Sequence, residues 1–423
     1  MKFYDRLTKL LLVDETKLPD LTSLSDAEHF IPVYFEDILE KALTDERLTE
    51  EECAKFQTLA EMFAEHYHLD YHKTFLKLKS AFGPFDPDAE VRYRKDYSEE
   101  FKESCRQNLL ESLELLLNAC NYCELPDDKR NEILEAPYPG VLSIKVDMKK
   151  LDFFRIFYRG LTKKTFTIKK FFFLEKSYES YEFKRIFVVA RYKKEHGSQI
   201  ITKVFRDVPA ENLKVVVPEV KLRLPIFDQV KVGASFSGTL GAFIFKGFLV
   251  AAQAAAASLW ACTILFYTFI MGAFRSVTGF FTSRMKCLKT YSESLYHQSL
   301  AGNMGAVNLL VEQAETQEVK EAFLAYFMLY LLRAETLTEK RLDERVEEWL
   351  EKNFGFYIDF EVDDALRKLV EKNLIKKFTP EDGSDPYYKV YDLPSALRRL
   401  DEMWDNYHLE NNEGSASNDS LAC

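Results

Sequence analysis

The chain has 423 residues, 30% of them charged, and a formal net charge of −11 at pH 7. This length predicts two or three domains, and the acidic balance excludes a protein that is basic over its whole surface, as general nucleic-acid binders are. The seven cysteines are odd in number and scattered, which excludes a disulfide framework and indicates reduced thiols.

Residues 1–135 are predicted to form a helical N-terminal region. Apolar residues recur at three- and four-residue spacing over 33–42, 50–80 and 97–120, the pattern of amphipathic helices. Ser98, followed by two glutamates, suits a helix start, because carboxylates are favoured at the positive end of the helix dipole. The first twenty residues show neither a signal peptide nor a mitochondrial presequence.

Residues 136–231 are predicted to form a small basic α+β domain. Runs rich in Val, Ile, Phe and Tyr at 140–147, 153–159, 183–192 and 200–205 alternate with Lys or Arg, as half-buried strands do. Residues 141–232 contain 21 lysines and arginines and 10 acidic residues. Such positive charge directly before a predicted membrane segment indicates contact with lipid head groups.

One run in this domain is the candidate for that contact. Three phenylalanines lie between lysines in KKFFFLEK, which suits an interfacial membrane segment. The candidate lipid-contact residues are Lys169, Lys170, Phe171, Phe172 and Phe173. A buried strand with exposed lysines explains the same run equally well.

The stretch from Ala234 to Phe274 is the least polar part of the chain and contains one formal charge, Lys246. A bilayer core of about 30 Å needs roughly 20 helical residues, so this length predicts two spans, a transmembrane hairpin over 232–275. A single long or re-entrant insertion is the alternative. Positive residues on both flanks place both termini in the cytoplasm. The residues assigned to the spans are Val232, Gly238, Gly241, Lys246, Trp260 and Phe274.

Residues 276–317 are predicted as a helical connector, 318–408 as a winged-helix-like domain and 409–423 as a disordered tail. Helical patterns at 319–333, 339–353 and 361–373 precede strand patterns at 374–379 and 387–391. The third helix carries four acidic and three basic residues, whereas a helix that reads DNA needs net positive charge. Nucleic acid is therefore disfavoured as a partner, and a protein partner is favoured.

No catalytic motif is present, which favours a protein without enzymatic activity but does not decide the question. Around His68 and His72 the sequence is HLDYH, which lacks the glutamate of a metalloprotease helix. The pair Cys120 and Cys123 lacks the second pair that structural zinc needs. Ordinary polar histidines and structural thiols are favoured, so neither a metal nor a cofactor is predicted.

Several segments together resemble those of a known family. They are Phe30–Pro32, Phe85–Asp88, Phe183–Arg206, Val208-Pro209, Val230–Gly233, Tyr291–Gly305 and Glu321–Leu332. The chain resembles an uncharacterised family of two-span transmembrane proteins, whose animal members are mitochondrial. The resemblance implies a two-span topology and no established activity. A mitochondrial membrane is compatible with it, although no presequence is seen.

His297, Gln298, Asn303 and Gly305 carry this resemblance just beyond the predicted spans. Asn303 and Gly305 suit a helix break, with the glycine supplying an unusual backbone angle. The alternative is a polar site at the membrane face.

The combined interpretation is an α+β membrane protein that acts as a non-enzymatic, membrane-anchored scaffold. Its expected partners are the lipid bilayer and a protein. The alternative is a membrane-associated enzyme or transport accessory that acts on lipid or a small molecule. A channel would require a homo-oligomer, because two spans make a poor pore.

Overall fold

The computed structural model describes residues 21–24, 28–88, 97–135, 143–146, 148–170, 174–196, 198–218, 220–223, 299–381 and 384–415, with scattered positions between 267 and 298. These residues form an α+β structure with sheets of five, three and two strands. The scattered positions from 267 to 298 have a helical backbone.

Helices make up most of the described N-terminal part. They are α1 (Phe35–Leu43), α2 (Glu50–Phe82), α3 (Glu99–Ala119) and the short α4 (Asp127–Glu135). Thr49 and Glu52 form a capping box at the start of α2, and the Ser98 side chain accepts a hydrogen bond from the Phe101 N–H in α3. Such caps satisfy amide groups that have no partner within the helix.

An antiparallel five-stranded sheet follows, in the order β1-β3-β4-β5-β7. Its strands are β1 (Cys123–Glu124), β3 (Leu151–Lys170), β4 (Leu174–Tyr192), β5 (Ile200–Pro209) and β7 (Ser299–Gly302). The pairing of β4 with β5 ends at Glu182, whereas β3 and β4 stay paired as far as Lys170 and Leu174. A two-stranded ribbon therefore extends beyond the sheet. Nearby are the two-stranded sheet of β2 (Ser143–Val146) and β6 (Val220–Arg223) and the short helix α5 (Leu213–Val216).

The C-terminal part is built around the long helix α6 (Met304–Leu331). It is followed by β8 (Leu337–Thr338), α7 (Glu339–Phe354), α8 (Val362–Glu371), β9 (Ile375–Phe378), β10 (Tyr387–Val390) and α9 (Leu393–Ser415). Gly355 ends α7 with a φ of 75°, a left-handed conformation that glycine adopts without strain. The three-stranded sheet has the order β8-β10-β9. Along the chain, α6, α7 and α8 precede the hairpin of β9 and β10, which is the element order of a winged helix. The predicted domain boundaries stay a prediction, and α6 runs unbroken through the one at 317/318.

Helix α6 contributes to two of the three apolar cores. The first core packs its C-terminal half against α1, α2, α7 and α8, and the Phe56 ring makes edge contacts with Phe327 and Tyr330. The second core packs its N-terminal half, including Leu310, against α3 and one face of the sheet. The third core lies on residues such as Phe183 of the sheet.

The prediction of a membrane protein with a transmembrane hairpin is wrong in the light of this structure. No helix in the described part of the chain is both long enough and apolar enough to cross a bilayer. The long helices there contain charged residues along their length, for example Glu318 and Glu321 in α6. The correction extends to the two-span localisation, to the membrane-anchored scaffold and to its membrane-bound alternative.

The predicted spans themselves fall almost wholly outside the described residues. Val232, Gly238, Gly241, Lys246 and Trp260 all lie there. Phe274 is described, with a helical backbone and a side chain that is 63% exposed.

Candidate metal centre

Four polar side chains are buried in the middle of α6. Gln317, Glu318, Lys320 and Glu321 are each no more than 4% exposed, although charged side chains are almost never fully buried unless they are paired. Residues three apart lie on neighbouring positions of one helix face. Glu318 and Glu321 therefore present two carboxylates to the same side of α6.

Asp364 brings a third carboxylate from α8. One oxygen each of Glu318, Glu321 and Asp364 lies within 4.8 Å of the other two. Helix α8 buries Ala365 and Leu366 in the first core, and this packing fixes its first turn against α6. Asp364 lies in that turn, so the carboxylate cluster joins two helices that are far apart in the sequence.

The hydrogen bonds within the cluster are unevenly distributed. Lys368, one turn after Asp364, donates from its Nζ to both Glu318 and Asp364. Tyr71 Oη, from α2, donates to Glu318 Oε1 at 3.3 Å. Glu321 Oε1 instead accepts from the neutral Gln317 Nε2 at 2.6 Å. Lys368 therefore contacts two of the three carboxylates, whereas Glu321 accepts no hydrogen bond from a cation among the described residues.

Burial and neighbouring charge act differently on the three acids. Burial raises the pKa of Glu318, although the charge of Lys368 opposes this. Burial, together with the negative charge of Glu318, raises the pKa of Glu321 well above its ordinary value. For Asp364 burial is outweighed by hydrogen bonds and positive charge from Lys368 and Arg367, which lower its pKa. Without a further cation, the raised pKa favours the neutral form of Glu321, so this carboxyl is the one whose ionisation a bound cation would promote most.

A cavity of about 360 Å³ opens onto these groups. Its ionisable lining comprises the carboxylates of Glu318, Glu321, Glu361 and Asp364, the cations of Arg367 and Lys368, and the phenol of Tyr71. With all acids ionised, four carboxylates and two cations give the lining a net charge of −2. Such a cavity attracts cations from solvent.

The Tyr67 hydroxyl is buried within range of the same charges. Tyr67 is 4% exposed, and its oxygen has no hydrogen-bond partner among the described residues. Burial raises the pKa of this hydroxyl, and the charges of Glu318 and Glu321 raise it further.

The segment before α1 encloses the polar part of α6. Gln317 Oε1 accepts from the Ile31 N–H at 3.2 Å, and Lys320 Nζ donates to the Ile31 carbonyl at 3.2 Å. Burial and the charge of Arg159 lower the pKa of Lys320 to about 8. His29 Nδ1 lies 3.7 Å from Glu361 Oε1. These contacts hold the α6 side chains in place and add no donor to the Glu321 carboxylate.

The donor set determines what the cluster can bind. Three carboxylates are hard oxygen ligands, which suit Ca²⁺, Mg²⁺ and Mn²⁺ better than Zn²⁺ or copper. The cluster contains neither a thiol nor an imidazole. Its residues therefore fit a divalent cation that prefers oxygen.

The four polar residues predicted beyond the spans lie elsewhere, at β7 and the start of α6. Gln298 Nε2 donates to the Asp207 carbonyl at 3.2 Å, and the His297 carbonyl accepts from Arg206 Nε at 3.4 Å. Asn303, and not Gly305, has the positive φ, 49°. Asn303 Nδ2 donates to Asp88 Oδ2. The proposal of a polar site there stays a prediction that nothing in the structure tests.

The predicted lipid-contact residues are only partly described. Lys169 and Lys170 lie at the end of β3, opposite Glu175 and Leu174. Phe171, Phe172 and Phe173 lie outside the described residues. Their role stays a prediction that nothing in the structure tests.

The histidines and cysteines singled out in the sequence do not converge on a common site. His68 Nδ1 lies 3.1 Å from Glu315 Oε1, and its ring stacks on that of His72 at 6.1 Å. Cys120 is buried and Cys123 is exposed. None of them belongs to the carboxylate cluster.

Sequence reasoning did not identify Glu318, Glu321 and Asp364 as a cluster. A local signal existed, because EVKE at 318–321 interrupts a helix that is otherwise largely apolar. In the sequence, Asp364 is one of the four acidic residues of the third predicted helix of the C-terminal part. Its proximity to α6 depends on how α8 packs, which spacing in the sequence does not show.

Comparison with known proteins gives a family match over part of the chain and no activity. A family model described as "Protein of unknown function (DUF3754)" matches residues 175–305, which agrees with an uncharacterised family. The match covers β4 from its second residue, β5, α5, β6, β7 and the first two residues of α6. No solved structure matches the chain. The carboxylate cluster lies outside the matched segment.

Proposed function

We propose that this protein binds a divalent cation at Glu318, Glu321 and Asp364, and that the bound cation links α6 to α8. The observation that carries the proposal is the convergence of three carboxylate oxygens within 4.8 Å of one another, two of them from buried side chains. The cavity that opens onto these carboxylates supports the proposal, because it gives an ion a route from solvent.

The number of carboxylate ligands favours calcium over magnesium. Separations of at most 4.8 Å between the ligand oxygens are compatible with either ion. Magnesium gives up its water reluctantly and is usually held by one or two carboxylates, whereas calcium accepts about six to eight oxygen ligands in a flexible geometry. Three converging carboxylates therefore suit calcium better, and water in the cavity can complete its coordination.

Lys368 is the internal competitor of this cation. Its ammonium group contacts Glu318 and Asp364, and its side chain is 19% exposed. A flexible four-carbon stem lets a lysine head group move towards solvent. A divalent cation then replaces one positive charge with two beside Glu321, the carboxylate that Lys368 does not contact.

Isothermal titration calorimetry of the full chain with CaCl₂, MgCl₂ and MnCl₂ tests the proposal. We expect one ion per chain, with calcium bound most tightly. Glu321→Gln and Asp364→Asn each remove a ligand charge and are expected to weaken binding by at least about tenfold. Glu348→Gln removes the same charge from an exposed position on α7 and serves as the matched control.

Two results would contradict the proposal. One is the absence of binding by any of the three ions at millimolar concentration. The other is binding to Glu321→Gln as tight as to the unmodified chain, with circular dichroism showing that both are folded. In either case the cluster is an internal ion-pair network that joins α6 to α8.

A further inference from the structure

A second surface with its own chemistry lies on the β9–β10 hairpin. The register places Lys376 directly opposite Lys389, and Phe378 directly opposite Tyr387. Directly opposite residues on paired strands share one face of the sheet, and residues two apart along a strand share a face as well. Lys376, Phe378, Tyr387 and Lys389 therefore form one face, which we call the wing face.

The two lysines of the wing face have no acidic partner among the described residues. Like charges directly opposite each other in a sheet destabilise the pairing. Both Lys376 and Lys389 are exposed, and neither takes part in an ion pair within the part of the chain that the structure describes. The hairpin thus holds two adjacent positive charges that its own fold does not neutralise.

Flat aromatic surface lies beside these charges. The Phe378 and Tyr387 rings stack at 5.1 Å between centroids with an interplanar angle of 8°, and Phe378 is 37% exposed. The cationic groups continue past the lysines, because the Arg399 guanidinium lies 3.7 Å from the centroid of the Tyr391 ring. Lys376 Nζ lies 5.0 Å from the same ring centre. Positive groups and aromatic rings therefore alternate along one strip.

We propose that the wing face binds single-stranded nucleic acid. The three cations can contact a phosphate backbone, and the exposed Phe378 ring offers a base a surface on which to stack. This combination of basic groove and aromatic platform is how sequence-tolerant single-strand binding works. An acidic protein segment would use the charges but would have no specific need of a coplanar ring pair.

Duplex reading by α8 is not part of this proposal. Lys368, one of its basic residues, is directed to the buried Glu318, and Arg367 pairs with Asp364 and Glu371 on α8 itself. The wing face, in contrast, has two exposed lysines that take part in no ion pair among the described residues. Because the chain as a whole carries −11, binding is expected to be weak and sensitive to salt.

Fluorescence anisotropy with the full chain and fluorescein-labelled oligo(dT) and oligo(rU) tests this inference. With three cations engaged, the logarithm of affinity is expected to fall against the logarithm of salt concentration with a slope of about −2. The double variant Lys376→Ala/Lys389→Ala is expected to lose at least about tenfold in affinity and to have a shallower slope. Phe378→Ala is expected to lose at least about fivefold at an unchanged slope, because it removes stacking only.

Lys77→Ala/Lys79→Ala provides the matched control, since it removes two exposed lysines from α2. The inference is overturned if neither oligonucleotide binds at about 50 mM salt, or if the control loses as much affinity as the wing-face variant. It is also overturned if poly-glutamate competes as well as the oligonucleotide, or if Phe378→Ala has no effect. Those last two results would indicate a surface for acidic proteins.

Discussion

Replacing Lys368 with Met tests the carboxylate cluster most directly. The Lys368 side chain is 19% exposed and that of Glu318 is 3% exposed, so the substitution leaves a buried carboxylate without its charge partner. Removing one partner of a buried pair costs about 3–5 kcal/mol. Because Lys368 is partly exposed and Arg367 still contacts Asp364, we expect the lower end, about 3 kcal/mol. Urea unfolding followed by circular dichroism measures this loss.

The same variant separates cation binding from a simple ion pair. Without the competing ammonium, Lys368→Met is expected to bind calcium more tightly than the unmodified chain. Ligand at about 100 times its Kd stabilises a folded state by about 2.7 kcal/mol, so calcium is expected to restore most of the loss. Lys372→Met is the control. The Lys372 side chain is also largely buried, but it pairs with Asp70, which does not belong to the carboxylate cluster. Calcium is not expected to restore that variant beyond its effect on the unmodified chain.

Two results would refute this reasoning. Stability equal to that of the unmodified chain would mean that Lys368 does not form the buried contact with Glu318. If stability falls by about 3 kcal/mol and calcium, magnesium and manganese all fail to restore it, an internal ion pair explains the cluster. The proposal of a cation site would then be rejected.

Three further predictions concern the fold. Gly160→Ala is expected to lower the free energy of unfolding by at least about 1 kcal/mol, and hence the Tm. The reasons are that Gly160 has a φ of 67° and that a new Cβ would lie 2.8 Å from a glutamate oxygen. Gly305→Ala is the control, because its Cβ would meet nothing nearer than 3.9 Å. Phe323→Ala empties a fully buried position in the first core and is expected to cost about 3–5 kcal/mol in urea unfolding; an unchanged midpoint would contradict that packing. Hydrogen bonds from Tyr330 and Thr49, with the charge of Arg333, lower the pKa of Glu52 from 4.5 to about 2. The stabilisation by ionised Glu52 is therefore complete above about pH 4.5 and is lost as the pH falls towards 2. The Tm difference between the unmodified chain and Glu52→Gln is expected to shrink over that range. A difference that grows would contradict a lowered pKa of Glu52.

The helices were the most predictable part of this chain. The predicted runs 33–42, 50–80 and 97–120 correspond to α1, α2 and α3, whose bounds are Phe35–Leu43, Glu50–Phe82 and Glu99–Ala119. Their apolar spacing and their caps at Thr49 and Ser98 are local features, and local features can be read from one sequence.

The sheet was predicted less well. Short separate strands were expected, whereas β3 and β4 run for 20 and 19 residues. Beyond the sheet they carry many polar side chains, so the alternation that marks a half-buried strand fades. Cross-strand contacts maintain the pairing there, such as the ion pair of Lys163 with Glu179 at 2.6 Å. A stabilising partner on another strand cannot be identified from the spacing of residues within one strand.

The hairpin prediction shows another limit of composition. An apolar run of the right length predicts a span, but the structure contains no such helix within its described residues. The most apolar described helix, α6, buries its apolar side chains in two protein cores. Hydropathy measures how much a segment avoids water, and both a bilayer and a protein core satisfy that requirement.

The position of the carboxylates within α6 bears on why the chain retains them. They lie between Ala314, which belongs to the second core, and Ala322, which belongs to the first. Apolar residues of similar volume at such a junction are often more stabilising than a buried ion pair. The cavity lining moreover has four carboxylates for two cations, and burial raises the pKa of Glu321, so without a further cation the neutral form of this acid is favoured. The proposed divalent cation would stabilise the ionised form and would link the two helices, which an additional surface ion pair could not do.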